Sequence, residues 1–108
     1  MIGINDYVYC EKLHNAVNDA WAMKNVLEEA GVEVFYETNC DKETFNLCKE
    51  DFLDSLNKGD AAIVFFAGHG CEYNNVNRLM LVANSKSDHH SLRNDSVNLL
   101  VLLDRFVL

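Results

Sequence analysis

Residues 61–70 read Ala-Ala-Ile-Val-Phe-Phe-Ala-Gly-His-Gly, an apolar run that ends in a histidine held between two glycines. Residues 61–67 are short, unbroken and rich in Val, Ile and Phe, the composition of a strand buried on both faces of a parallel sheet. In open α/β sheets ligands and catalytic groups gather outside the carboxyl ends of the strands, so His69 is expected at the functional rim. Gly68 and Gly70 lack a Cβ and allow both a sharp turn and a close approach to the main chain. Imidazole titrates near neutral pH and can take a proton from a thiol or hydroxyl. Taken alone, Gly-His-Gly is a weak pattern, and a histidine at a strand end is more often a hydrogen-bonded structural residue.

Working outward, the chain has the alternation of a βαβ protein. Residues 1–5 read as the tail of a strand. Residues 15–30 carry Val17, Ala20, Trp21, Leu27 and Ala30 on one helical stripe, with Gly31 as the stop. Residues 32–37 are β-prone. Asp41 caps a second helix running to about Asn57, in which Phe45, Cys48, Phe52, Leu53 and Leu56 recur at helical spacing. Lys58-Gly59-Asp60 then turns the chain into the histidine-bearing strand. Strand, helix, strand, helix, strand predicts an α/β, three-layer architecture, with a mostly parallel sheet and helices on both faces. Beyond Gly70, residues 72–78 read as a polar loop, 79–83 as a short apolar segment, and 84–94 as polar with adjacent solvated histidines, His89 and His90. Residues 95–108 read as a helix, capped by Asp95 or Ser96, with Val97, Leu100, Val101, Asp104 and Leu108 on one face.

At 108 residues, 49% of them hydrophobic, the chain fits a single domain with a modest core. A formal charge of -8 disfavours nucleic acid and anionic membranes as partners and suits cationic peptides. No apolar run is long enough to span a bilayer, and no export signal is readable, so a cytoplasmic protein is expected. Cys10, Cys40, Cys48 and Cys71 show neither CxxC nor clustered His/Cys spacing, so no metal site is expected. Cys48 reads as a small core residue, Cys71 as a loop cysteine. A nucleotide-binding domain is disfavoured, because neither GxxxxGK[ST] nor GxGxxG occurs.

Three stretches taken in order, IGINDY at residues 2–7, HNAVNDAWAMKNVLEEAGVEV at 14–34 and FLDSLNKGDAAIVFFAGHG at 52–70, resemble the caspase-like cysteine protease family on its paracaspase and metacaspase side. The resemblance spans residues 2–82, with a weaker continuation to 108. It implies that His69 is the histidine of a Cys-His dyad, acting as general acid and base. It implies that the amide of Gly70 donates to the oxyanion, and that Asp19 lines the pocket for the side chain preceding the scissile bond. A carboxylate there selects Arg or Lys, whereas animal caspases place arginines there to select aspartate. Without the resemblance, Asp19 reads as a solvated carboxylate early in a helix.

In caspases the histidine lies about 50 residues upstream of the cysteine, which puts the thiol at about position 119. The resemblance therefore implies a partial domain, 1–108, whose first strand and nucleophile strand are incomplete or missing, so that this polypeptide alone is inactive. A rival alignment sets residues 99–104 against the nucleophile strand and Phe106 in place of the cysteine, which gives an inactive homologue serving as an interaction scaffold. No cofactor is expected, except calcium if the chain is of metacaspase type, and no calcium loop is readable. The implied partner is a peptide or protein bearing a basic residue, and dimerisation would run through the domain's C-terminal part.

Overall fold

A computed structural model describes residues 1–85 and 87–106. In chain order the elements are β1 (Ile2–Gly3), α1 (Ala16–Glu29), β2 (Glu37–Thr38), α2 (Lys42–Ser55), β3 (Phe66–Ala67), β4 (Gly70–Tyr73), β5 (Val76–Leu79), α3 (His89–Asp95), β6 (Val97–Asn98) and α4 (Leu99–Asp104). They form two small sheets. The first is parallel in the order β2-β1-β3, with Ile2 opposite both Glu37 and Phe66. The second is antiparallel in the order β4-β5-β6.

The central strand sorts the layers. Side chains alternate across a strand. At Gly3 a Cβ would lie 2.8 Å from Ala20 Cβ and 2.9 Å from the Ala16 carbonyl oxygen, so α1 lies directly on that face. Ile2 and Ile4 point the other way, into a core cluster with Phe45 of α2, Met80, Leu81 and Leu92. Helices thus cover both faces of the parallel sheet, and the expected three-layer α/β class is what the chain adopts.

Both long helices follow their sequence punctuation. Asp41 accepts a hydrogen bond from Thr44 N at 2.9 Å, the capping geometry expected of an N-terminal aspartate. Gly31 adopts φ +84 just past α1, a left-handed conformation that glycine takes without steric cost. The inward face of α1 differs from the expected stripe. Ala16 and Ala20 are buried, whereas Trp21 is 56% exposed and Ala30 is also exposed. Small residues face the sheet because the close approach over Gly3 leaves no room for an indole.

Other expectations need correction. Residues 61–64 are not a strand buried on both faces, since Ile63 and Val64 are 55% and 43% exposed. Within the run, pairing with β1 is confined to Phe66–Ala67, opposite Ile2–Gly3. Pairing in β2 is likewise confined to Glu37–Thr38 rather than spread over 32–37. The polar segment 72–78 is no loop but most of a hairpin, β4 with β5, and its strands include Cys71. Asn74 and Asn75 turn it with φ of 51 and 62, the left-handed pair that a two-residue I′ turn requires. Within 84–94 lies the start of α3, capped by Asp88, whose carboxylate accepts from Ser91 N at 3.1 Å. Buried Asn84 ties this region together. Its side chain accepts from Leu81 N at 2.7 Å and donates to Ser91 Oγ at 2.8 Å.

Asp95 is the last residue of α3 rather than a cap, and residues 96–98 are not helical. Ser96 ends α3, Val97–Asn98 form β6, and Asn98 rather than Asp95 or Ser96 caps α4 by accepting from Val101 N. Leu102 is the buried residue of that helix, whereas Leu100 and Val101 are exposed; Leu108 lies outside the described residues. Because 99–104 are helical, they do not form the nucleophile strand of the rival alignment. Phe106 packs on Phe52, ring centroids 5.7 Å apart.

Replacing Gly3 by Ala should lower stability by about 1–3 kcal/mol, because backbone and a short helical side chain block the new methyl. Urea unfolding should show a lower midpoint at unchanged slope.

Candidate active site

Strand β3 delivers the chain to Gly68 and His69, and the main chain of His69 is fastened on both sides. Its N–H donates to the Tyr7 hydroxyl at 2.7 Å, that hydroxyl donates to the Met80 carbonyl at 2.9 Å, and Met80 N–H donates back to the His69 carbonyl at 2.9 Å. Tyr7 is fully buried and its ring lies 4.6 Å from the imidazole, centroid to centroid. Burial pushes the Tyr7 phenol up to about 12, so it stays protonated at physiological pH and serves as acceptor and donor at once.

The imidazole is half-buried and its Nε2 lies 2.7 Å from the Glu11 carbonyl oxygen. A carbonyl can only accept, so this contact places the proton on Nε2 and leaves the Nδ1 lone pair as the basic site of the neutral ring. His69 is therefore at the rim, as expected, but its ring is tethered through one nitrogen rather than free.

Gly70 opens β4. Its partner is Leu79, and the Met80-to-His69 bond fixes the alternation of the ladder, making Gly70–Leu79 a non-hydrogen-bonded pair. The Gly70 N–H consequently points away from β5. A Cβ at Gly70 would meet only the Arg78 carbonyl oxygen, at 3.5 Å, so sterics do not demand glycine here. At Gly68 they do, because a Cβ would lie 2.5 Å from the Tyr7 hydroxyl.

Beside this turn is an open cleft of about 500 Å³ lined by residues 11–16, Asp19, Phe66, Ala67 and Gly68. The structure thus brings Asp19 to the same cleft as Gly68 and Glu11, whose carbonyl holds His69. Asp19 is exposed in the first turn of α1, not buried. A hydrated carboxylate needs no permanent partner, and none pairs with it among the described residues. Lys12 is committed to the Tyr7 carbonyl at 2.9 Å, leaving Glu11 and Asp19 to set the sign of the cleft. A second cavity, about 260 Å³ and apolar, lies toward the opposite end of the parallel strands, among residues 32–35, α2 and 61–64. Glu33, Cys48 and Lys49 are among its lining residues, and none of the three lines the cleft beside Gly68.

Among the cysteines, Cys40 is a core residue. Burial, followed by the nearby Glu37 charge, pushes its thiol up to about 11. Burial also raises the Cys48 thiol, on the inward side of α2. Both stay protonated at neutral pH, which is the wrong state for a nucleophile. Cys71 packs against the core from β4. His89 and His90 are exposed on α3, His89 lying 5.1 Å from the Tyr73 ring. No group of three or more His, Cys, Asp or Glu that could hold a metal occurs among the described residues. Nor, among them, is any helix long and apolar enough to cross a membrane.

Tyr7 and Glu11 are the residues that the sequence left unassigned. Glu11 acts through its main chain, which no side-chain pattern reports, and Tyr7 reaches its partner across 62 positions.

The layered α/β domain thus carries a tethered histidine just past a parallel strand, beside a cleft lined by Glu11 and Asp19. Over residues 1–104 the sequence matches the caspase domain family, and the chain belongs to that family of proteases. No curated protein matches it.

The raised Tyr7 pKa makes a prediction with a definite sign. The folded state holds this proton more tightly than the unfolded chain, so the contribution is complete below pH 10 and is lost as pH rises toward about 12. Absorbance titration of the four tyrosines should show one ionising late, and Tyr7→Phe should remove that late step.

Proposed function

We propose that this domain is the histidine-bearing part of a caspase-like cysteine endopeptidase of the paracaspase and metacaspase type, cleaving after Arg or Lys. The observation that supports it most is the His69 ring, held at Nε2 by the Glu11 carbonyl with Nδ1 left basic, beside a cleft that Asp19 lines. In this reading Nδ1 removes the thiol proton, and the thiolate attacks the scissile carbonyl carbon. The Gly70 N–H donates to the oxyanion that forms. The imidazolium then returns its proton to the leaving amine, and a water, deprotonated by the same ring, hydrolyses the thioester. On the family's histidine-to-cysteine spacing of about 50 residues, the nucleophile falls outside residues 1–108.

Asp19 attracts the guanidinium or ammonium of the residue before the scissile bond. At about 4 Å such a pair is worth roughly 1 kcal/mol in bulk water and roughly 4 at an effective dielectric near 20. An open cleft lies toward the lower figure. The rest of the chain's acidic surface reinforces the preference by raising the local concentration of cationic peptides.

Binding and cleavage separate in the test. Acetyl-leucyl-arginine amide titrated into the labelled chain should shift the amides of Ala16, Asp19 and Gly68, while the aspartate analogue should not. Asp19→Asn should weaken binding about 5- to 10-fold, and added salt should weaken it too. An arginine fluorogenic peptide should stay uncut by residues 1–108. Equal binding of the two peptides contradicts the specificity, and turnover abolished by His69→Ala places the nucleophile within the chain instead.

A further inference from the structure

We infer that Tyr7 is a positioning residue for His69, its hydroxyl inserted into the β4–β5 ladder so as to hold the imidazole against Glu11. The inference rests on the reading of His69 as the acid-base group, and it names the side chain that sets that group's geometry.

Antiparallel pairing continues the β4–β5 register by one step, setting His69 opposite Met80. A hydrogen-bonded pair of this kind normally exchanges two bonds, one in each direction. Here the first is direct, Met80 N–H to the His69 carbonyl at 2.9 Å. The second is relayed, from His69 N–H to the Tyr7 hydroxyl at 2.7 Å and from that hydroxyl to the Met80 carbonyl at 2.9 Å. One oxygen atom therefore wedges the ladder open at the residue whose side chain matters. Residue 69 stands off from β5 and toward the segment 5–13, where Nε2 meets the Glu11 carbonyl at 2.7 Å.

Three further features support the wedge. The Tyr7 ring brackets the imidazole at 4.6 Å. The space of a Cβ on residue 68 is taken by the Tyr7 hydroxyl, 2.5 Å away, so Gly68 and Tyr7 form one fitted pair. The phenol, buried and held protonated to about pH 12, keeps both hydrogen bonds throughout the physiological range. Tyr7 itself is fixed from its own segment: its N–H donates to the Asn5 carbonyl at 3.1 Å, and the next residue, Val8, donates to the Val82 carbonyl at 2.9 Å.

Removing the oxygen while keeping the ring lets the second bond of the pair close directly, which draws residue 69 toward β5 and away from Glu11. The test is nitrogen-15 NMR of the imidazole in the full 108-residue chain, without substrate. Wild type should show His69 as the tautomer with the proton on Nε2. In Tyr7→Phe the ratio of that tautomer to its alternative should fall about five-fold or more, the scale of one lost hydrogen bond. A merely structural role for Tyr7 would lower the unfolding midpoint and leave the tautomer ratio as it is. Gly68→Ala should disturb the ring in the same way, and Tyr7→Phe/Gly68→Ala should recover folding stability relative to Gly68→Ala alone, because Phe vacates the space the methyl needs.

Should Tyr7→Phe fail to fold, the wild-type chain still decides the matter. Its Tyr7 hydroxyl proton should exchange slowly enough to be seen and should show a contact to the His69 amide proton; absence of both overturns the inference. An unchanged tautomer ratio in folded Tyr7→Phe overturns it as well. If the ratio shifts but no arginine peptide binds, the protease reading falls and the positioning role stands. If the peptide binds through Asp19 and the ratio does not move, the reverse holds.

Discussion

The close seating of α1 on Gly3 is the constraint from which the geometry of the cleft beside Gly68 follows. A helix can approach a strand this nearly only where both surfaces are small, and here Gly3 meets Ala16 and Ala20 with less than 3 Å to spare for any added methyl. That contact fixes the height and rotation of α1 over the central strand. Asp19, one residue before Ala20, is thereby carried to the carboxyl end of the parallel strands, where Gly68 also lies. Larger residues at these positions would push the helix outward and take the carboxylate with it. Asn5 adds a polar clamp at the same corner, its side chain accepting from Val17 N at 3.1 Å in the first turn of α1.

The histidine is positioned by a second and independent device. Two sheets of different type meet at residues 68–70, the parallel sheet ending at Ala67 and the antiparallel hairpin beginning at Gly70. A change of sheet leaves main-chain groups that must find partners elsewhere. Tyr7 and Met80 provide them, which holds the residue between the sheets without including it in either. Asn39 does comparable work nearby. At φ 48, its side chain accepts from both Asn5 N and Asp6 N, which organises the segment that carries Tyr7 and Glu11. The residues around His69 are thus irregular in outline but tied together by hydrogen bonds through Tyr7, Asn39 and Met80.

The sequence makes some of this legible and leaves the rest hidden, for identifiable reasons. Helix α2 is readable because Asp41, Phe45, Cys48 and Phe52 report the cap and the period together. The place of His69 just past a parallel strand is readable because the apolar run stops at Gly68, which marks the strand's carboxyl end. The hairpin is not, although Asn74-Asn75 is a turn dipeptide tolerant of left-handed backbone, because Glu72, Asn77 and Arg78 give its strands a loop-like polarity. Helix α4 is shifted because residues 99–103 are apolar on all sides, so periodicity cannot choose the face, and Asn98 outcompetes the earlier caps. The meeting of Asp19 with Gly68 at one cleft and the Tyr7 relay are tertiary features. Neither a helical carboxylate nor a tyrosine in a turn announces from sequence what it will stand beside.

The central claim is that the rim formed by α1, residues 11–16 and the Gly68 turn is where a basic side chain is received, next to the tethered imidazole. An experimental structure of the chain with a bound arginine peptide tests it most directly. The account predicts the guanidinium beside Asp19, with the backbone following it directed toward His69 and the Gly70 amide. A peptide lodged instead in the apolar cavity among residues 32–35 and 61–64, at the far end of the strands, would contradict it.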